Sequence, residues 1–277
     1  MQIYLSTKLY QPTQYDRLLK LVRYLEDQNV GIEIVPEWQD PIFINAIKLY
    51  YGEMRTYPIS VHGPSFQTEA SSLKGTKSYK NTLYYFKETM ALAQMFQGKY
   101  IVFHHNNCPF IEEEKEEMIQ VSTENLQFLN EMASKYHTPL VVENAGVMAH
   151  KDMLFNEVEF VKMANEISNP ILFDIGHAHA NGWNIERVIK RLAPKIVAYH
   201  VHNNNGFEDE HNRMFKGTLD MNSFWNCYKT YTPNADIVLE YGQVWQNDEM
   251  GIIEDVRAIR EILHISYAKR KTKVVAN

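Results

Sequence analysis

The feature that most constrains this chain is a rhythm. Eight short runs rich in Val, Ile and Leu recur from end to end, each followed by a longer amphipathic stretch. The runs are QIYLS (2–6), VGIEIV (30–35), PISVHG (58–63), YIVFHH (100–105), PLVVEN (139–144), PILFDI (170–175), KIVAYHV (195–201) and DIVLEY (236–241). Near-continuous apolar runs of this length read as strands buried on both faces, the pattern of a parallel sheet. The stretches between them carry a helical period. In YDRLLKLVRYLEDQ, Leu18, Leu19, Val22 and Leu25 fall on one face. YKNTLYYFKETMALAQMF, EEKEEMIQVSTENLQFLNEMASKY, DMNSFWNCYKTY and EDVRAIREILHI repeat that logic. Pro58, Pro139 and Pro170 open three of the strands, where a missing N–H costs the ladder nothing.

Eightfold strand–helix alternation within 277 residues predicts an α/β chain folded as a single-domain (β/α)8 TIM barrel. The competing doubly wound sheet usually carries a glycine-rich first turn, and STKLYQPTQ has no glycine. Hydrophobic residues make up 45% of the chain, enough for a large core. No low-complexity linker interrupts the series, so the barrel is expected over 1–268, with the basic run KRKTKVVAN (269–277) as a solvated tail. A net charge of −6 gives no overall electrostatic reason to bind nucleic acid. No run approaches the ~20 apolar residues of a membrane span, and MQIYLSTKLY lacks the charged-then-apolar signature of a signal peptide. Two cysteines, Cys108 and Cys227, form no disulfide framework and fit a reduced, cytoplasmic protein.

In a barrel, chemistry sits at the C-terminal ends of the strands. Read in order, those ends offer His62, then His104 and His105, Glu143, Asp174 with His177, His200 and His202 with Asp209 and His211 in the following loop, and Glu240. Of eleven histidines, only His137 and His264 clearly fall elsewhere. Several acids converging in one mouth would repel one another and resist desolvation. Divalent cations remove that cost, and carboxylate with imidazole is a ligand set for zinc, manganese or iron(II). Side chains alternate along a strand, so one of His104 and His105 points inward; His105, His179 and His202 are read as supporting rather than ligating. Asn203, Asn204, Asn205 and Gly206 read as a turn. Asn203, His202, Arg213 and Lys216 are candidate substrate contacts, with Lys74, Lys77 and Lys80 as further phosphate-facing cations and Glu33, Glu37 and Trp38 as possible mouth residues.

The pieces SVHGPS, IVFHH, VVENAG, FDIGHAH, HVHNNNGFEDEHNRMFKGTLD and VLEYG, in that order, resemble the xylose isomerase-like TIM barrel superfamily, which includes endonuclease IV and many sugar isomerases and epimerases. The resemblance implies a two- to three-metal centre. The first metal would take His62, His104 and Glu143; Glu143 would bridge to a second held by Asp174, His200 and Glu240; His177, Asp209 and His211 would hold a third. Where the common family form reads His-x-x-Asp after the seventh strand, this chain has Asn203. The expectation is a zinc-dependent phosphoester hydrolase, with manganese or iron as alternatives, acting on a small phosphorylated sugar or abasic DNA, where Phe66 could serve as a wedge. The alternative is a sugar isomerase or epimerase in which Glu143 and Glu240 are the acid–base pair and one metal sits at Glu143, Asp174, His200 and Glu240.

Overall fold

The structure, a computed structural model, describes residues 1–25 and 29–266. In chain order it runs β1 (Ile3–Ser6), α1 (Tyr15–Leu25), β2 (Val30–Ile34), α2 (Pro41–Met54), β3 (Ile59–Val61), α3 (Lys77–Phe96), β4 (Ile101–Phe103), α4 (Lys115–Ser134), β5 (Leu140–Glu143) and α5 (Glu157–Glu166). It continues through β6 (Ile171–Asp174), α6 (Ile175–Ala180), α7 (Ile185–Leu192), β7 (Ile196–Val201), α8 (Met221–Tyr231), β8 (Asp236–Leu239) and α9 (Glu249–Ile262). Every strand pairs in parallel with the next, and β8 returns to β1, closing the barrel. The (β/α)8 fold read from the rhythm is therefore the fold of the chain. The tail at 269–277 lies outside the described residues.

Strand alternation sorts the apolar residues into two cores. Ile3, Val61, Phe103, Val142, Phe173, Tyr199 and Leu239 point outward into the large core under the helices. Tyr100, Val102, Val141, Leu172 and Ala198 form a separate cluster. Next to it Tyr4 meets Tyr100 edge to face at 6.4 Å. Gly31 leaves room for Tyr4, since a Cβ there would lie 2.8 Å from its ring. This plug closes the inside of the barrel below the mouth.

One element departs from the simple alternation. α6 begins directly after β6, because the Asp174 side chain accepts from the His177 backbone N–H at 2.7 Å and caps the helix. Among the described residues no helix is long and apolar enough to cross a membrane.

Candidate metal centre

The site follows from a step of two residues. Side chains two apart share a strand face, so the residue two beyond the upper layer of the plug surfaces in the mouth. Val102 leads to His104, Val141 to Glu143, Leu172 to Asp174 and Ala198 to His200. The same step runs from Ser60 to His62, from Val238 to Glu240 and from Gly31 to Glu33. His105, one place out of step, turns back to the Ser122 hydroxyl on α4 at 2.9 Å, and burial pushes its pKa down to about 3, so it stays neutral.

The histidine rings are held by whichever nitrogen does not face the cluster. His62 Nδ1 donates to the Gly63 carbonyl at 2.8 Å, His104 Nδ1 pairs with Asn107 Oδ1 at 2.9 Å, and His211 Nδ1 donates to the Glu240 carbonyl at 2.9 Å. His200 Nε2 meets the fully buried Glu33 carboxylate at 3.2 Å. In each ring the other nitrogen is turned toward the cluster: His104 Nε2 is 2.8 Å from Glu143 Oε2, His200 Nδ1 is 3.1 Å from Glu143 Oε1, and His62 Nε2 is 3.8 Å from Glu143 and 3.9 Å from Glu240. Anchoring of this kind fixes tautomer and ring direction at metal sites. His211 is itself in the left-handed backbone region, φ 48°, a conformation that costs a non-glycine residue energy. It is held there by the Gly242 N–H donating to its carbonyl at 2.9 Å and by the antiparallel bridge between Asn203 and Asn212.

All nine residues singled out as ligands converge in this mouth. Potential ligand atoms of His62, His104 and Glu143 lie within 4.8 Å of one another, as do those of Glu143, Asp174 and His200, those of His62, His200 and Glu240, and those of His177, His202, Asp209 and His211. Three buried atoms among them, His177 Nδ1, His202 Nδ1 and Asp209 Oδ1, have no hydrogen-bond partner. Buried polar atoms are rarely left so, and the nitrogen and oxygen donor set of the groups around Glu143 fits a divalent cation. Electrostatics points the same way. Burial opposes the charge on Glu143, yet His200 and His104 hold its carboxyl well below the usual range. Burial likewise opposes Glu240, while Lys8 and His200 hold it at about 2. Burial disfavours protonated His200 and His177, but Glu143 beside the first and Asp174 beside the second push both well above an ordinary histidine. With no metal, the acids keep their charge by loading protons onto the rings, and a cation would displace those protons.

Several sequence readings are corrected by the geometry. His202, assigned to substrate, is fully buried beneath the cluster, 3.0 Å from Asp174 Oδ2, and belongs with the His177 group. Asn203 is buried and ties its loop together, Nδ2 donating to the Met214 carbonyl while Oδ1 accepts from the Leu219 N–H. Arg213 turns away from the mouth: it is buried, with Asp255, Asp248 and the Gly251 carbonyl taking its donors, because an unpaired guanidinium could not be buried there. Lys216, Lys74, Lys77 and Lys80 are exposed and do not line the cavity. Trp38 donates to the Thr89 hydroxyl on α3, and neither it nor Glu37 reaches the cavity wall. The cavity above the cluster holds about 420 Å³ and is bordered by His62, His104, Glu143, His177, Asp209 and Glu240, with Phe66, Asn106, Asn107, His150 and Asp152 on its walls. Lys8, which the sequence reading passed over, also lines it; Lys8 Nζ lies 2.8 Å from His211 Nε2 and 3.6 Å from Glu240 Oε2. No strand period marks it, since it lies past the end of β1 in the 3-10 turn Thr7–Leu9.

Comparison with known proteins agrees with this architecture. A family model described as Xylose isomerase-like TIM barrel matches residues 31–262. An uncharacterized protein of Methanocaldococcus jannaschii is 29% identical over 168 residues, 60% of this chain and 63% of that protein. Inosose isomerase of Bacillus velezensis is 26% identical over 177 residues, 59% of this chain and 61% of the relative. The matched segment thus spans about three-fifths of the length of these curated relatives. Among solved structures, a D-tagatose 3-epimerase-like protein superposes with a TM-score of 0.72 at 19% identity, covering 94% of this chain and 99% of its own. IolI protein with a zinc atom bound superposes with a TM-score of 0.73 at 17% identity, covering 97% and 100%. At such identities these likenesses establish the fold.

Proposed function

This chain belongs to the xylose isomerase-like TIM barrel family, and from that premise and the geometry of its mouth we propose that it is a metal-dependent isomerase or epimerase of a small, uncharged sugar or cyclic polyol ketone. The observation that carries this reading is the pair Glu143 and Glu240. Both border the cavity, and both lie within 4 Å of the same His200 nitrogen, at 3.1 and 3.9 Å. They come from strands three places apart in the barrel. A carbon held between them has one carboxylate to take its proton and another to return one, which inverts the centre or moves the carbonyl. Both carboxyls are held ionised by their neighbours, Glu143 chiefly by His200 and Glu240 by Lys8 and His200, so either can act as the base.

Glu143, Asp174, His200 and Glu240 would hold a divalent metal, zinc first and manganese or iron(II) as alternatives, and its chemistry when bound is Lewis-acid polarisation of the substrate carbonyl. The wall residues do the rest. Asn106, Asn107, His150 and Asp152 offer hydrogen bonds to hydroxyl groups, and Phe66 offers a flat apolar face. Lys8 is the one Lys or Arg among the described residues lining the cavity. A phosphate group would find few partners there, which favours a neutral substrate over the phosphorylated sugar or abasic DNA first expected. Inosose isomerase among the curated relatives and a D-tagatose 3-epimerase-like protein among the structural ones support this reading over phosphoester hydrolysis.

The test is solvent exchange. Incubated in D2O with zinc or manganese and a panel of ketoses and inososes, the protein should place deuterium on a carbon next to a carbonyl, read by NMR, and Glu143→Gln and Glu240→Gln should stop it. No exchange with any of them, together with hydrolysis of a phosphoester, would reject the proposal.

A further inference from the structure

We propose that Lys8 is the resident cation of the outer part of the cluster: its ammonium occupies the lone pair of His211 that would otherwise ligate a metal, and so limits how many metals the mouth takes up. The inference rests on the metal-dependent reading above and concerns its stoichiometry.

Hydrogen positions are dictated by the neighbours. His211 Nδ1 lies 2.9 Å from the Glu240 carbonyl oxygen, an atom that only accepts, so Nδ1 carries a proton. His211 Nε2 lies 2.8 Å from Lys8 Nζ, and an ammonium only donates, so Nε2 presents its lone pair and the ring is neutral. Asp209 Oδ2 lies 2.8 Å from that same Nε2. A carboxylate oxygen and an imidazole lone pair this close repel unless positive charge lies near them. Lys8 supplies it, with Glu240 Oε2 at 3.6 Å completing its surroundings.

The placement of Lys8 is built into the loop. It sits in a short 3-10 turn, Thr7–Leu9, whose start is capped by Ser6 Oγ accepting from the Lys8 N–H at 3.3 Å. Thr7 Oγ1 accepts from the Val35 N–H at 2.8 Å and pins the same turn to the loop after β2. Among the described residues, the inner groups, His62 with His104 and Glu143 and Asp174 with His200 and Glu143, have no such ammonium against a ring nitrogen and stay open to metal.

Zinc content measured by mass spectrometry after loading and desalting tests this, on wild type, Lys8→Met, Lys8→Arg and the double variant Lys8→Met/His211→Ala. Wild type and Lys8→Arg should hold at most two equivalents. Lys8→Met should hold one more, bound about 10–100-fold more tightly than any such equivalent in wild type, and the double variant should lose it. Three tight equivalents in wild type, or an unchanged number and affinity in Lys8→Met, would overturn the proposal and leave the proposed function standing. No metal in any variant would overturn both. A readout free of metal is the nitrogen spectrum of His211 in chelated protein. Its Nε2 resonance should move in Lys8→Met toward that of a protonated nitrogen donating to Asp209 Oδ2, 2.8 Å away, and stay in place in Lys8→Arg; an unmoved resonance in Lys8→Met would also overturn the proposal.

Discussion

Glu143 faces four histidines of the mouth, His62, His104, His177 and His200. One oxygen faces His104 at 2.8 Å and the other His200 at 3.1 Å and His177 at 3.4 Å. Glu143→Gln keeps the shape but replaces one acceptor with a donor and removes a charge. Carbon–deuterium exchange should fall by about 10²–10⁴-fold, and bound zinc should fall with it. Arg213 is the contrasting residue. Its Nε and Nη2 donate to the two oxygens of Asp255, which is 2% exposed, each at 2.8 Å. Arg213→Met strands that carboxylate in the core and should cost about 3–5 kcal/mol in a urea melt, with metal content per folded molecule unchanged. A loss of metal without loss of stability would return Arg213 to the site.

At the scale of the element, α6 decides whether β6 and β7 deliver their ligands together. Asp174 caps the helix through His177, and Gly176 lets the His202 ring lie against the helix backbone: a Cβ at 176 would sit 2.0 Å from His202 Cε1. Gly176→Ala should push His202 off Asp174, destabilise the fold by about 1–3 kcal/mol as overpacking does, and weaken metal binding while Lys8 and His211 stay in register. The helix ring offers a pH test. Glu157, at the start of α5, takes two bonds from Arg187 on α7 and one from the Asn184 N–H. The Arg187 hydrogen bonds, against opposing burial, hold its carboxyl below the usual range. A depressed acid stabilises the fold above its unfolded pKa of ~4.3 and loses that contribution as pH falls through its lower folded value. The difference in thermal midpoint between wild type and Glu157→Gln should therefore be largest near neutrality and close up in acid. A difference that grows below pH ~4 would contradict this assignment.

For the whole molecule, metal and fold are linked, since the cluster joins strands β3 to β8 and exists only when the barrel is closed. A ligand at a thousand times its Kd adds about 4 kcal/mol, so chelation should lower the melting midpoint on the order of 10 °C, and added zinc should restore it. Much of this was legible beforehand. The eightfold rhythm determined the barrel because parallel strands buried on both faces need a covering helix after each one, and the two-residue step along each strand determined which side chains share the mouth. That is why His62, His104, Glu143, Asp174, His200 and Glu240 could be read from the chain. The loops obey no such period. Whether Arg213 or Lys8 reaches the cluster depends on which acids lie within range after closure, Asp255 for one and Glu240 for the other. Those distances join residues 42 and 232 positions apart, a relation that only tertiary packing creates.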